Sequence, residues 1–331
     1  MPPSQIEPKT SCARAGTFPP AIRPPSAALR MPPSRTRSMW SYSISRTVSQ
    51  PSTEGAAGGP QGGTGRQVVE QLLRRDQAVR AFVHADDERA GELRKLGADV
   101  VVGDLREIRD VRPAMRGIRR AYFTYPVTAG LLDATGAFAA AAREEGVERV
   151  VEVSQLDASP EAGTPRMRRH WLSEQVFDWA GVGAVHLRAA VFFENLAVVA
   201  DAYGELALPL GPPDTLIPLV AASDVARVGA GLLLDPAPAG PVCLLTGQMA
   251  TAGEAADALG VPYADLPPEE WERRAHDVYG DPYAVEHLTH LWAIFRFIGS
   301  NDHPLYRVTE NIEHVGGRRP VTLREFAAAR G

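Results

Sequence analysis

Between residues 67 and 188 short β-rich runs alternate with helical stretches, and this rhythm constrains the fold more than any other feature. Residues 67–74 carry Val68, Val69, Leu72 and Leu73 as an apolar helical stripe. A β-rich run over 79–83 follows, then a charged helix over 88–96 and a run over 99–102 that ends in Gly103-Asp104-Leu105. Further helices are predicted at 108–115, 131–143 and 168–179, and further strands at 121–124, 149–154 and 184–188. Strands alternating with helices of this length predict right-handed βαβ units on a doubly wound parallel sheet, an α/β fold. Past residue 190 the alternation loosens. Helical stretches at 224–234 and 269–297 flank short strands such as 242–245, which reads as a smaller C-terminal α/β capping region where substrates would sit. The expected organisation is an extension at 1–50, a nucleotide-binding domain at 51–190 and a substrate or capping region at 191–331.

The extension stands apart by composition. Residues 1–50 hold nine prolines and nine serines, and seven basic residues against the single acid Glu7. Such a stretch buries too little apolar surface to offset its ordering entropy, so a disordered arm is expected. Its Arg- and Ser-rich, acid-poor character is also that of an organelle transit peptide, but no amphipathic helix is visible, and an extension from an upstream start is preferred. With the arm at +6, the remaining chain carries −11 of the net −5. An acidic body argues against nucleic acid as a partner. No apolar run approaches the roughly 18 residues of a membrane span. The two cysteines, Cys12 and Cys243, form neither a CxxC nor a disulfide framework, which fits a reducing cytoplasm.

The main chemical signature is the glycine-rich segment 55–66, with Gly55, Gly58, Gly62 and Gly65 followed by Arg66. Glycines let the backbone turn tightly and approach a pyrophosphate whose charge rests on the N-terminus of the next helix. The bland alternative is a flexible linker; the position of the segment, opening an amphipathic helix that leads to a strand, favours the nucleotide. A first, central strand should precede Gly55 and be apolar on both faces. Residues 46–54 fit poorly, since Pro51 cannot sit in a central strand. A slipped strand using Tyr42, Ile44 and Val48 is the alternative, with 50–54 as slack.

These residues resemble the NmrA-like family, atypical members of the short-chain dehydrogenase/reductase superfamily. The segment from Gly55-Ala-Ala-Gly58 to Gly63-Thr-Gly65-Arg66-Gln-Val-Val is similar to that family's TGATGxTGRxV opening, with four extra residues between Gly58 and Gly63. The similarity continues through 79–84, 101–105, 121–126, 151–155, Phe193-Glu-Asn195-Leu196 and the ending 317–326. It implies a Rossmann-type fold that binds NAD(P). It also implies that Asp104 and Leu105 line the adenine pocket, that Tyr125 and Pro126 pass near the middle of the coenzyme, and that Ser154 faces the nicotinamide. For the 2′ position, the second strand ends in His84 and Arg66 opens the preceding helix, while Asp86 and Asp87 come late. NADP(H) is therefore expected over NAD(H).

Lysine is nearly absent: of 35 basic residues only Lys9 and Lys95 are lysines. The Tyr-x-x-x-Lys pair of most short-chain dehydrogenases, in which lysine lowers the tyrosine's pKa, therefore cannot exist, because Gln5 and Gly91 stand four residues before the lysines. His170 and Glu174 form an i,i+4 pair in the helix after Ser154, and His170 is a candidate proton donor oriented by Glu174. A structural histidine is the plainer reading. Hydride transfer to a quinone, which takes its proton from water, needs no such residue. His287-x-x-His290 with His276 lacks a carboxylate set, so a helix surface is expected there and no metal site. Trp292, Phe295 and Phe297 read as core or interface. Phe193 and Asn195, after the sixth strand, are substrate-site candidates.

Three readings follow from the residues. The chain is a reductase of small carbonyl or quinone compounds, a non-catalytic NADP-sensing regulator acting through a protein partner, or a damaged copy that binds nothing tightly.

Overall fold

The computed structural model describes residues 39–44, 63–235 and 240–330, all within the unit Arg37–Gly331. Its strands are β1 (Met39–Ile44), β2 (Ala78–Val83), β3 (Asp99–Val102), β4 (Ile118–Phe123), β5 (Arg149–Gln155), β6 (Val185–Ala189), β7 (Val191–Phe192), β8 (Leu206–Leu208), β9 (Leu216–Val220), β10 (Val242–Leu245), β11 (Gln248–Thr251) and β12 (Tyr263–Asp265). Seven of them form one sheet in the order β10-β6-β5-β4-β1-β2-β3. Each neighbouring pair in it is parallel. Chain order reverses direction at the β1–β4 boundary, the topological switch point where ligands of doubly wound sheets bind.

The doubly wound α/β fold expected from the alternation is the fold observed. Helices α1 (Thr64–Leu73), α2 (Glu88–Leu96) and α7 (Ala222–Leu234) cover one face, with Val68, Val69, Leu72, Leu93 and Val225 packed on Val79, Ala81, Tyr122 and Val151. Helices α3 (Ile108–Met115), α4 (Leu131–Glu144) and α5 (Pro165–Ala180) cover the other. There Phe123, Phe138 and Phe177 form an aromatic trio with ring centroids 4.9 to 6.1 Å apart. Such edge and tilted pairs contribute about 0.5–1.5 kcal/mol each beyond their buried area. They fix α5, which carries much of the site, against β4.

Three expectations are corrected. Residues 39–44 belong to the stretch read as a disordered arm, yet they form the strand that joins the two halves of the sheet. The slipped strand is the right one as far as Tyr42 and Ile44; Val48, Pro51 and the glycines Gly55, Gly58 and Gly62 lie outside the described residues. Composition hid the strand because a ladder is made by backbone groups, and pairing on both sides offsets a poor side-chain pattern. Second, the division at residue 190 is crossed by the chain: β10 pairs with β6, and α7 packs on α1 and the sheet. Third, the long helix expected over 269–297 is two, α9 (Pro268–Tyr279) and α10 (Pro282–Ile298). Gly280 ends α9 in the left-handed region at φ 65°, and the Asp281 carboxylate accepts from the Tyr283 backbone N–H at 2.8 Å to start α10 at Pro282.

The rest of the C-terminal half surrounds a separate core. Helices α6 (Phe193–Tyr203), α8 (Ala252–Leu259), α9, α10 and α12 (Leu323–Ala328) pack around Leu196, Trp271 and Trp292 with two small sheets, β11-β9-β7 and β12-β8. The short helix α11 (Asn311–Gly316) lies against α7.

Two changes test this arrangement. Deleting residues 1–46 removes β1 and bares the facing edges of β2 and β4, so the cooperative thermal transition should disappear; a retained transition would mean the sheet closes without that strand. In α7, a Cβ at Gly229 would lie 2.5 Å from Cε2 of Tyr122. Gly229→Ala should lower stability by about 1–3 kcal/mol, read as a fall in the urea midpoint.

Candidate functional site

The C-terminal ends of the parallel strands open into a cavity of about 750 Å³. Thr124, Tyr125 and Pro126 follow β4, Ser154 and Gln155 end β5, and Ala189 ends β6, so backbone geometry alone brings them to one edge. The opposite wall is built from the capping core: Leu288, Leu291, Ile294 and Phe295 of α10, with Met167 of α5 and Phe192 before α6. The floor is therefore polar where the strands end, and the roof is apolar.

The N-terminus of α1 reaches the same cavity through Gly63, Thr64, Gly65 and Arg66. Its first backbone N–H groups have no side-chain cap, and no acid stands in its first turn. A helix start left open and free of negative charge is suited to an anion. The residues present thus fit the diphosphate of a dinucleotide. Arg66 is not idle: its guanidinium donates to Glu70 at 2.9 Å and pairs with Glu92 of α2.

Beneath the site a buried polar ladder ties α5 to β5 and β6. The Ser154 hydroxyl donates to Glu174 at 2.6 Å, and Arg188 grips the same carboxylate with two bonds of 2.9 and 2.6 Å. One residue pair deeper, Glu152 accepts from Ser173 at 2.8 Å and meets His186 Nδ1 at 2.6 Å, while Ser173 also meets Thr135 at 2.9 Å. Every carboxylate here is partnered, as burial at this depth demands.

This ladder changes the role read for the His170–Glu174 pair. Glu174 is committed to Ser154 and Arg188, so it does not orient His170. The His170 ring is buried on the cavity wall with no partner for Nδ1, and burial, with Arg166 and His287 nearby, holds its pKa well below the usual value. It is a neutral imidazole, not an acid. Ser154 lines the cavity, but its proton is given to Glu174, leaving its lone pairs for a ligand.

The remaining expected residues divide. Tyr125, Pro126, Gly65, Arg66 and Asn195 line the cavity. Phe193 does not: it is fully buried in the capping core, its ring tilted against Phe326 with centroids 5.6 Å apart, and its part is packing. His84, Asp104 and Leu105 follow β2 and β3 at the same edge of the sheet, outside the cavity lining. Arg106 chelates Asp104 and holds its carboxyl down to about 2, while Leu105 is buried under Val111 in the core. Of the aromatic stretch on α10, Trp292 and Phe295 are core and Phe297 is exposed.

Sequence reasoning missed Arg166, Gln155, Glu194 and His287, which all line the cavity. His287 in particular is buried rather than on a helix surface; its Nε2 lies 3.0 Å from the Gln155 amide nitrogen, and burial pushes its pKa down to about 3. The signal for α5 was Thr164-Pro165, an N-cap followed by proline. Nothing in the residue types announces a buried arginine one position later.

Comparison with known proteins agrees with this geometry. Residues 59–192 match the family model described as NAD(P)H-binding. The chain is 28% identical to the NAD(P)H azoreductase of Xenophilus azovorans over 284 residues, 82% of this chain and 96% of that one. Its fold is similar to an NADPH-dependent quinone oxidoreductase of Escherichia coli solved with NADPH, at 20% identity and a TM-score of 0.67, covering 81% of this chain and 97% of the other. It is also similar to NmrA, a negative transcriptional regulator, solved with NADP, at 19% identity and a TM-score of 0.61, covering 80% and 91%. These neighbours are consistent with the resemblance to NmrA-like atypical short-chain dehydrogenases/reductases. No helix among the described residues is long and apolar enough to cross a membrane.

Glu194 gives this site a pH signature. Burial raises its carboxyl from 4.5 to about 7, although the Ala222 backbone N–H donates to it at 3.2 Å. The folded state thus favours the protonated acid, a contribution complete below pH 4.5 and lost as pH passes about 7. Relative to Glu194→Gln, the wild type should lose up to about 3 kcal/mol across that window. Urea titrations at pH 4.5 to 8 would measure it; a constant difference would place the Glu194 carboxyl in water.

Proposed function

We propose that this protein is an NAD(P)H-dependent reductase of small quinone or carbonyl compounds, working with NADPH in preference to NADH. The observation that carries this reading is one cavity that joins an open helix N-terminus to an apolar roof. A coenzyme's phosphates suit the first and a flat acceptor suits the second. The azoreductase and quinone oxidoreductase named above support the same class of reaction.

When bound, the coenzyme supplies a hydride. The chain's own residues bind and orient the reactants. The N–H groups of Thr64, Gly65 and Arg66 take the diphosphate, and Tyr125 and Pro126 form the wall along its middle. Ser154, locked by Glu174, presents lone pairs at the end of β5. Leu288, Leu291 and Phe295 exclude water from the acceptor's face, which strengthens electrostatic contacts inside. A quinone takes up the hydride and one further proton to become the hydroquinone; water supplies that proton, so neither a Tyr-x-x-x-Lys pair nor a charged His170 is required.

The preference for NADPH rests on what surrounds the end of β2. Asp86 is paired with Arg94 at 2.6 Å, and Asp87 caps α2 by accepting from the backbone N–H groups of Arg89 and Ala90. Both acids near a ribose 2′-hydroxyl position are engaged elsewhere. Arg89 lines the cavity, Arg66 lines it while paired with Glu70 and Glu92, and His84 follows the strand, a cationic neighbourhood that suits a 2′-phosphate. Arg66→Ala and His84→Ala should each weaken NADPH by about tenfold, near 1.4 kcal/mol, with a smaller loss for NADH. Equal losses in fluorescence titrations would defeat the argument.

The second reading is a dinucleotide-sensing regulator that acts through a protein partner. The excluded Tyr-x-x-x-Lys pair and the likeness to NmrA favour it. Steady-state NADPH oxidation with a panel of quinones and aldehydes separates the two. Turnover above background supports the reductase; normal coenzyme binding with background turnover supports the regulator.

A further inference from the structure

Arg166 is the least expected charge in the molecule. It is 2% exposed, on the second residue of α5, and it lines the cavity. Its guanidinium donates to the backbone carbonyls of Tyr125 at 3.1 Å and Thr128 at 3.5 Å, and it also bonds the Tyr283 hydroxyl. Among the described residues no carboxylate pairs with it, and its Nε is buried without a partner. An ionised group taken out of water is costly unless an opposite charge meets it, and breaking such a pair is more costly still. Burial does pull this group down, but only to about 10, so it is a cation at neutral pH.

The neighbours of Arg166 share the same incompleteness. His170, one turn along α5, and His287, from α10, both line the cavity, feel the charge of Arg166, and leave Nδ1 buried and unpartnered. With Nε2 of neutral His287 accepting from the Gln155 amide, its hydrogen sits on Nδ1 and is left to donate. Three buried polar side chains with unpartnered nitrogens, Arg166, His170 and His287, meet in a cavity corner, one positive and none negative, and form a site prepared for an anion.

We infer that the corner between α5 and α10 is an anion subsite, in which Arg166 with His170 and His287 holds a carboxylate or sulfonate carried by the hydride acceptor. This deepens the reductase reading and rests on it. Two sources of negative charge are possible in such a cavity, the coenzyme's phosphates and the acceptor. The acceptor is favoured because His287 belongs to the capping helix α10, whereas the open N–H groups suited to phosphate belong to α1. The substrate class is then a small aromatic acceptor with an acidic substituent, its ring under Leu288 and Leu291 and its charge against Arg166.

The test uses the full chain and two probes, 1,4-naphthoquinone and 1,4-naphthoquinone-2-sulfonate. The wild type should show a KM for the sulfonate at least tenfold below that for the uncharged quinone. In Arg166→Gln the ratio of the two KM values should shift at least tenfold against the sulfonate, and Arg166→Lys should restore part of it. Calorimetry of the sulfonate on protein saturated with NADP⁺ reads the same subsite without turnover and should show the same order of affinities. Should Arg166→Gln fail to fold, Arg166→Lys and His287→Phe, each expected to weaken the sulfonate at least threefold, carry the comparison. Equal effects on both quinones overturn the inference. So does a tenfold loss of NADPH affinity in Arg166→Gln with the quinone ratio unchanged, since the guanidinium then serves the coenzyme. If the wild type turns over neither quinone, the reductase reading fails, and calorimetry alone still decides the subsite.

Discussion

The pairing of β1 on both sides holds the molecule together. Met39–Ile44 runs parallel to β2 from Ala78 to Val83 and parallel to β4 from Ile118 to Tyr122. A parallel sheet buried under helices on both faces has no water to satisfy an open edge, so β2 and β4 cannot stay apart without leaving a row of unmet backbone groups. The switch in winding direction falls beside this strand. The cavity at this edge is lined by the N-terminus of α1, and every other part of the candidate site is measured from there.

From that edge, position is transmitted by burial. The aromatic trio of Phe123, Phe138 and Phe177 presses α5 against the sheet, and the ladder from Ser154 to Glu174 and Arg188 fixes its rotation. Arg166 and His170 are consequently held inside the cavity, while Glu174 on the same helix turns under the sheet edge. An i,i+4 spacing does place two residues on one side of a helix, but neighbours from β5 and β6 decided which partner each side chain took.

The electrostatics of the site divide it in two. Its α1 end offers neutral backbone donors, with Arg66 shared among acids. The end beneath α10 offers one uncompensated guanidinium with two neutral imidazoles. Glu194, with a carboxyl that titrates near neutrality, stands on α6 beside Asn195. A pocket with these two ends can discriminate between phosphate charge and acceptor charge by location.

The sequence alone fixed much of the order of elements. The period of apolar residues in α1, α2, β3, α3 and β10 gave their bounds to within a few residues, because local periodicity reflects which face is buried. Counting lysines, with Gln5 and Gly91 four residues before the two present, excluded a lysine-assisted tyrosine. Tertiary structure alone supplied the rest. It selected Met39–Ile44 as the central strand, since ladder bonds are made by backbone and leave little trace in residue type. It buried Phe193 rather than presenting it to a substrate, and it turned Arg166 and His287 into a cavity. Arginine and histidine look like surface residues until packing across more than a hundred residues of chain removes their water.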